Sequence, residues 1–338
     1  MSGSRVAKAL ASSLLVGGLA WAGAAVWVDG PASRPLAGAL AGALAGALGL
    51  GGLACLARIR PFSRGALGAL ALVAAVAAWW LRIPPSNDRD WLPDVARTPH
   101  ASVEGDLLTI HDVRNFSYRS ETDFDERWET RTWDLRRLAG VDLFLSSWGS
   151  PHIAHTIVSW RFEGAPPLAI SIETRKEKGE AYSAVLGFFR QFELYYVVAD
   201  ERDVVGLRTN PRGEQVRLYP IRMPLERARA VLLDYVREID RLAETPRWYN
   251  AATHNCTTTI RWHVRQVAST NPWSWKLLLN GHLDELAYER GTIDTSLPLA
   301  ELRSRSDITA LARAADGDPA FSRRIREGLP GLPGERAP

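Results

Sequence analysis

Cys256 has the residue type and the local sequence expected of a nucleophile. It lies within the stretch AATHNCTTTI at residues 251–260, directly after Asn255. Asparagine is a common N-cap residue, so we expect a helix to begin at Cys256 and to hold its sulfur in the first turn. The unpaired N–H groups and the dipole of that turn favour a thiolate, and they can bind an oxyanion. The local sequence fits a small, inert core cysteine equally well.

A thiol nucleophile needs a general base, and His155 is the best placed of the seven histidines. It opens a predicted strand directly after a loop at residues 148–151, a junction that holds a side chain rigidly. His263 follows Cys256 by seven residues, about 10 Å along a helix, which is too far for proton transfer. His152 is the reserve candidate.

The strand that returns after His155 supplies polar partners for the imidazole. The sequence EGAPP at residues 163–167 predicts a turn between two antiparallel strands. Ser171 and Glu173 then alternate with isoleucines, which places both on the polar face beside His155. Either side chain can orient the ring. We favour Glu173, because a carboxylate also stabilises the imidazolium.

The elements around these residues indicate an α+β domain with an antiparallel sheet packed by helices. An apolar stripe at helical spacing predicts a long helix over residues 225–242, and a second helix begins near Asn255. Short β-rich runs predict strands at residues 107–110, 141–147, 155–162, 168–173, 193–199, 204–208 and 216–221.

Three consecutive apolar runs, at residues 9–28, 36–57 and 66–81, predict three membrane spans. Basic residues precede the first run and fill the connection between the second and third, which places the N-terminus in the cytoplasm. We therefore expect a multi-pass protein of the bacterial inner membrane, with residues 83–338 in the periplasm.

The predicted domain organisation follows from these segments. Residues 1–82 form the three-helix anchor, residues 83–106 a linker, residues 107–325 the folded periplasmic domain, and residues 326–338 a disordered Pro/Gly-rich tail. The linker is short, so the domain stays close to the bilayer.

Composition argues against several classes of partner. Seven basic residues and one acidic residue lie in the first 82 positions, giving that part a charge of +6 and the remainder −3. The basic residues flank the apolar runs, so we do not expect nucleic acid as a partner. Two cysteines are too few for a disulfide scaffold or a thiolate zinc site, and we expect neither a metal nor a cofactor.

Two apolar features have competing interpretations. Gly38, Gly42 and Gly46 form a small-residue face, suited to packing within the three-span bundle or to self-association through helix contacts. Trp273, Trp275 and the leucines at 277–279 either pack in the core, which we favour, or contact an acyl chain or lipid.

A histidine on an early hairpin and a cysteine at a later helix N-terminus resemble a papain-like site read in permuted order. This arrangement is similar to the permuted NlpC/P60 and lecithin:retinol acyltransferase group. A closer resemblance, over most of residues 105–325, is to the Lnb N-terminal periplasmic domain family. The matching blocks are at residues 113–116, 132–135, 153–156, 171–175, 193–197, 200–203 and 255–258.

The resemblance implies a cysteine-dependent acyltransferase that takes an acyl group from a phospholipid and acts on bacterial lipoproteins. Cys256 and His155 match the catalytic pair, and Glu173 matches as a motif residue. Ser171 and Asn255 are our candidates for an orienting or oxyanion-binding role. The three N-terminal spans, and the lack of a long C-terminal membrane region, depart from the branch that gives the family its name.

Three functions therefore compete. The first is a membrane-anchored thiol acyltransferase or hydrolase, with membrane lipid and a lipoprotein as substrates. The second is a cysteine peptidase or amidase that acts on envelope peptides or peptidoglycan with the same residues. The third is a non-catalytic scaffold of the cell envelope.

Overall fold

The computed structural model describes residues 3–30, 62–267 and 272–332. The chain divides into two compact units: Met1–Ser86 with Tyr182–Phe192, and Asn87–Ala181 with Glu193–Pro338. The second predicted membrane span and the three glycines at 38, 42 and 46 lie outside the described residues.

The first unit contains helices α1 (Gly3–Asp29) and α2 (Phe62–Trp80), where the first and third apolar runs predict them. The indole of Trp80 donates a 2.7 Å hydrogen bond to Asp29 and packs edge-on against Trp21. In the part of the chain that the structure describes, no helix has both the length and the apolar character needed to cross a membrane. The predicted three-span anchor is therefore not confirmed.

The second unit is built on a mixed sheet in the order β1-β2-β9-β8-β7-β6-β10, with β5 paired to β2. Every pairing in this sheet is antiparallel except that of β2 with β9. Strands β3 and β4 form a separate hairpin. The bounds are β1 His100–Glu104, β2 Leu107–Arg114, β3 Ser117–Tyr118, β4 Phe124–Asp125, β5 Trp128–Asp134, β6 Leu138–Ser147, β7 Ala154–Phe162, β8 Ala165–Arg175, β9 Glu193–Ala199 and β10 Gln215–Ile221.

Helices cover both faces of this sheet, as the α+β prediction requires. They are α3 Glu201–Val204, α4 Gly206–Thr209, α5 Leu225–Glu244, α6 Cys256–Val267, α7 Leu283–Glu289, α8 Leu299–Arg305, α9 Thr309–Ala314 and α10 Phe321–Arg324. On one face, Trp160 packs against Tyr235 of α5 and donates a hydrogen bond to the Ala228 carbonyl. On the other, Ile157 and Val197 join a buried apolar core with residues of α3, α9 and α10.

The prediction of a strand at residues 204–208 is wrong, because this segment forms α3 and α4. Asp200 caps α3 by accepting a 3.0 Å hydrogen bond from the Arg202 N–H, and Val204 and Val205 are buried against the sheet. A short apolar run has no periodicity that separates a buried strand from a buried helical turn.

The folded domain extends past its predicted boundaries at both ends. Trp91 and Val95, in the predicted linker, are buried, and so is Leu329 in the predicted tail. The guanidinium of Arg326 lies between two fully buried carboxylates, 2.7 Å from Asp142 Oδ2 and 2.7 Å from Glu201 Oε2. Its charge stabilises both carboxylates in a region that excludes water.

We expect Arg326→Met to destabilise the protein by about 3–5 kcal/mol, because it removes the arginine that binds buried Glu201 and one of the two arginines that bind buried Asp142. Urea unfolding followed by tryptophan fluorescence measures the change. Arg323→Met is the matched control, since the Arg323 side chain is 74% exposed and we expect its loss to change stability little. Equal stabilities of the two variants would contradict the structural role of Arg326.

Candidate active site

Asn255 places Cys256 at the first position of helix α6. The Asn255 side-chain oxygen accepts a 2.8 Å hydrogen bond from the Thr258 N–H, and the Asn255 N–H donates a 3.0 Å bond to the Thr258 hydroxyl. This reciprocal pair is a capping box. The Asn255 amide nitrogen donates to the Ala251 carbonyl, so both ends of the side chain are used locally. Asn255 therefore caps the helix, as the sequence predicts, and an orienting or oxyanion-binding role for it stays a prediction.

The imidazole of His155 contacts Cys256 on one side and two polar residues on the other. A hydrogen bond joins the ring to the Cys256 thiol. Nε2 lies 2.6 Å from the Ser171 hydroxyl and 3.0 Å from Glu173 Oε1, which leaves Nδ1 for the sulfur. The Ser171 hydroxyl donates a 2.7 Å hydrogen bond to Glu173 Oε1. The four predicted residues Cys256, His155, Ser171 and Glu173 are thus brought together.

Strand register explains how the sheet presents these side chains. Ser171 lies directly opposite Ile157, two residues from His155, so His155, Ser171 and Glu173 share one face. The pairing of β7 with β8 ends at Ile157 and Ser171, whereas β8 continues to Arg175. The N–H of Thr156, at this point of separation, donates a hydrogen bond to the Cys256 sulfur. The thiol therefore reaches the gap between the two strands.

Behind Glu173 lies a buried series of charges that was not predicted from the sequence. Arg208 in α4 donates a 3.0 Å hydrogen bond to Glu173 Oε1 and another of 3.0 Å to Glu214 Oε2. The hydroxyl of Ser146, on β6, donates to the same Glu214 carboxylate. The side chain of Arg208 is buried. No local motif predicts this bridge, since its residues come from three separate segments.

The electrostatics of the site favour a charged pair. Burial raises the pKa of the Cys256 thiol, but the hydrogen bond and the charge of His155 outweigh it and lower that pKa to about 7. Burial and Arg208 lower the pKa of His155, yet Glu173 and the thiol raise it above its usual value. Burial also raises the pKa of Glu173, but His155 and Arg208 hold it well below its usual range. A thiolate and an imidazolium are therefore stabilised together.

Asn280 is a second residue of the site that was not predicted from the sequence. Its side-chain nitrogen lies 3.5 Å from the Cys256 sulfur, and its oxygen accepts a 2.8 Å hydrogen bond from the Ala154 N–H at the start of β7. The next residue, Gly281, packs so closely that a Cβ atom there would lie 2.2 Å from the Pro151 carbonyl oxygen. This contact fixes the turn that carries Asn280 and directs its amide at the sulfur.

The other candidate histidines have different partners. His152, the reserve base, pairs its ring with that of His282 at 2.9 Å. His263 is buried between Asp234 and the Tyr196 hydroxyl, and burial lowers its pKa to about 4 despite the carboxylate. His263 therefore packs as a neutral core residue.

Within the described ranges, no group of three or more His, Cys, Asp or Glu side chains could hold a metal ion.

Arginines form ion pairs with the acidic segment at residues 200–203. Asp203 binds Arg114 at 2.8 Å and Asp200 binds Arg131 at 2.8 Å.

Comparison with known families supports the resemblance seen in the sequence. The family model of the Lnb N-terminal periplasmic domain matches residues 124–281, a range that includes Cys256, His155, Glu173 and Asn280. No curated protein and no solved structure matches the chain. The relationship to permuted NlpC/P60 enzymes stays a prediction.

We expect alkylation of Cys256 by iodoacetamide to follow an ionisation near pH 7, because His155 lowers the pKa of the thiol to about 7. In His155→Gln the charge of His155 is lost while the burial of the sulfur remains, so the inflection moves up towards the ordinary thiol range of about 8.5. Mass spectrometry of the Cys256 peptide, across about pH 5 to 10, measures both profiles. His152→Gln is the control, and we expect it to keep the wild-type dependence of alkylation on pH. The same dependence in His155→Gln would contradict the pairing of His155 with Cys256.

Proposed function

We propose that the chain is a periplasmic thiol acyltransferase, on the premise that the family model of the Lnb N-terminal periplasmic domain matches residues 124–281. Cys256 is the nucleophile, and His155 transfers the protons. The observation that carries the proposal is the hydrogen-bonded series from the buried Cys256 thiol through His155 to Ser171 and the partly exposed Glu173. The resemblance to lipoprotein-modifying relatives favours a membrane phospholipid as acyl donor and a lipoprotein amine as acceptor.

In the first half-reaction the thiolate of Cys256 attacks the ester carbonyl carbon of the donor. The carbon–oxygen bond to the alcohol breaks as the thioester forms. The imidazolium of His155 gives its Nδ1 proton to the departing alkoxide and becomes neutral. Glu173 accepts hydrogen bonds from Ser171 and Arg208 throughout, so the ring keeps its orientation.

In the second half-reaction an amine attacks the thioester carbonyl carbon. Neutral His155 takes the proton that the amine loses, and the carbon–sulfur bond breaks to give an amide and the thiolate. The thiolate and imidazolium with which the cycle began are restored. Water in place of the amine gives hydrolysis by the same steps.

Asn280 and the start of α6 supply hydrogen-bond donors for the oxyanion. In each tetrahedral intermediate the negatively charged oxygen is bonded to the carbon that also carries the sulfur, so it lies about 3 Å from Cys256 Sγ. The side-chain N–H of Asn280, 3.5 Å from the sulfur, is within reach of that oxygen. The N–H groups that precede Thr258 in the first helical turn, which lack intrahelical acceptors, add to this stabilisation.

We expect the wild-type chain to form a fatty-acyl thioester when it is mixed with a short-chain phospholipid and no amine. Intact-mass measurement detects the adduct, and hydroxylamine at neutral pH removes it. Cys256→Ala forms none, while Cys55→Ser, the control for the second cysteine, keeps it. Cleavage of an envelope peptide without any lipid adduct would instead indicate the peptidase or amidase. A cellular role that Cys256→Ala leaves intact would indicate the scaffold.

We expect Asn280→Asp to slow acylation by about 100- to 1,000-fold, because it removes an N–H donor from the oxyanion. Aspartate keeps the oxygen that accepts from Ala154 N–H, so the turn retains that contact. Single-turnover acylation followed by mass measures the rate, and urea unfolding reports whether the fold is kept. Acylation at the wild-type rate would exclude Asn280 from oxyanion binding.

A further inference from the structure

Residues 182–192 form an apolar segment of the first unit, although they lie between β8 and β9 in the chain. We call them the 182–192 segment. Residues 181–189 contain no charged side chain. Val185 is 68% exposed and Phe188 is 49% exposed. Adjoining exposed apolar side chains of this kind mark an interaction surface.

Backbone hydrogen bonds give this segment a defined conformation. The Gly187 N–H donates a 3.0 Å hydrogen bond to the Ser183 carbonyl, and the Phe188 N–H donates one of 3.2 Å to the Val185 carbonyl. Residues 183–188 therefore make a helical turn. Because Val185 and Phe188 are three residues apart in this turn, their side chains lie on one face of it.

Asp29, at the end of α1, fastens the segment to the first unit. Its Oδ2 accepts hydrogen bonds of 2.7 Å from the Trp80 indole, at the end of α2, and 3.1 Å from the Arg190 backbone N–H. Its Oδ1 accepts a 2.9 Å hydrogen bond from the Gln191 side chain. The Arg190 guanidinium also lies over the Trp80 ring, 4.2 Å from its centroid. These contacts hold the segment against the ends of both helices.

The two helices expose apolar side chains on more than one face. Leu14 and Val16 of α1 are 77% and 43% exposed, and Leu70 and Leu72 of α2 are 57% and 37% exposed. Successive residues of a helix are about 100° apart, so the two members of each pair lie on nearly opposite faces. A protein partner covers one face of a helix, whereas lipid contacts it from several sides. Such contact does not require the helix to cross the bilayer.

The second unit exposes another apolar set, which comprises Trp273, Trp275, Leu278 and Leu279. The preference for core packing of this stretch is therefore wrong, except at the buried Leu277. Lys276 lies within the set and forms ion pairs with Glu285 at 2.9 Å and Glu289 at 2.5 Å. These charges distinguish that set from the 182–192 segment, whose exposed side chains have no charge among them.

We propose that the 182–192 segment contacts the apolar region of a lipid bilayer, and that Val185 and Phe188 are the side chains that enter it. Tyr182, in the same segment, and Trp27, two residues before Asp29, are both exposed. Their ring types favour the boundary between headgroups and acyl chains. The contact is apolar, so it needs no anionic lipid.

A second copy of the chain is the other occupant to consider. It would cover Val185 and Phe188, but one flat interface would not also cover opposite faces of α1 and α2. Lipid contact requires no thiol, so this inference and the proposed function can fail separately.

The test is spin labelling of the full chain in phosphatidylcholine nanodiscs, with Cys55→Ser and Cys256→Ala removing the native thiols. The label is attached in turn at Val185→Cys and Phe188→Cys. The matched control is Thr122→Cys, an exposed position between β3 and β4. Collisions with oxygen, which concentrates in hydrocarbon, are compared with collisions with a water-soluble nickel chelate. We expect both segment labels to lose most nickel collisions and to gain oxygen collisions relative to the control.

Asp29→Ala tests the fastening of the segment to the helices. It removes the acceptor used by Trp80, Arg190 and Gln191, so we expect the label at Val185→Cys to become more mobile and to regain nickel collisions. Glu126→Ala, which removes an exposed carboxylate of the second unit, is the matched control and leaves the label unchanged.

Three outcomes would overturn the lipid contact. The first is nickel accessibility at the two segment labels equal to that at Thr122→Cys. The second is protection from both reagents together with dipolar broadening that disappears when labelled chains are diluted with unlabelled ones, which would indicate a second copy. The third is protection from both reagents without broadening, which would indicate that the chain itself covers these side chains.

Discussion

A carboxylate that is largely removed from water remains charged only when other groups compensate the lost hydration. Glu173 meets this condition through three partners, His155, Ser171 and Arg208, which approach the same oxygen at 3.0, 2.7 and 3.0 Å. The charge that results stabilises an imidazolium, and the imidazolium in turn stabilises a thiolate. Arg208 is itself held by Glu214, so the charge on Glu173 is supported by an ion pair that lies behind it.

The sheet and helix α6 each contribute part of the hydrogen-bonded series that joins Cys256, His155 and Glu173. The sheet provides His155 and its polar partners, because register on β7 and β8 determines where His155 and Glu173 meet. The helix provides the Cys256 sulfur, and the capping box of Asn255 and Thr258 sets the point at which the helix starts. The early separation of β7 from β8 leaves a backbone N–H of Thr156 to bind the sulfur. A continuous ladder would have used that N–H within the sheet.

The parts of this site that local chemistry determines could be predicted from the sequence. An asparagine before a cysteine indicates a cap, and alternation on a hairpin places Ser171 and Glu173 beside His155. The same reasoning predicted the sheet and the long helix α5. Arg208 and Asn280 could not be found this way, because each reaches the site from a distant segment whose own sequence has no motif. Residues 204–208 were predicted as a strand because short apolar runs do not encode which element buries them.

The turn at Asn280 connects the chemistry to the surface of the domain. Within a few residues the chain passes from exposed Trp275, Leu278 and Leu279 to the buried amide of Asn280, and Gly281 is pressed against the backbone at Pro151. Because Asn280 is anchored to the start of β7, anything that contacts the leucines lies next to a rigid support of the Cys256 sulfur. A molecule bound to these exposed side chains would therefore lie a few residues along the chain from the contact with the Cys256 sulfur. Under the proposed acyltransferase function, this proximity favours an acyl donor held at the surface over one captured from solution, since its contacts and the thiol would share one short turn.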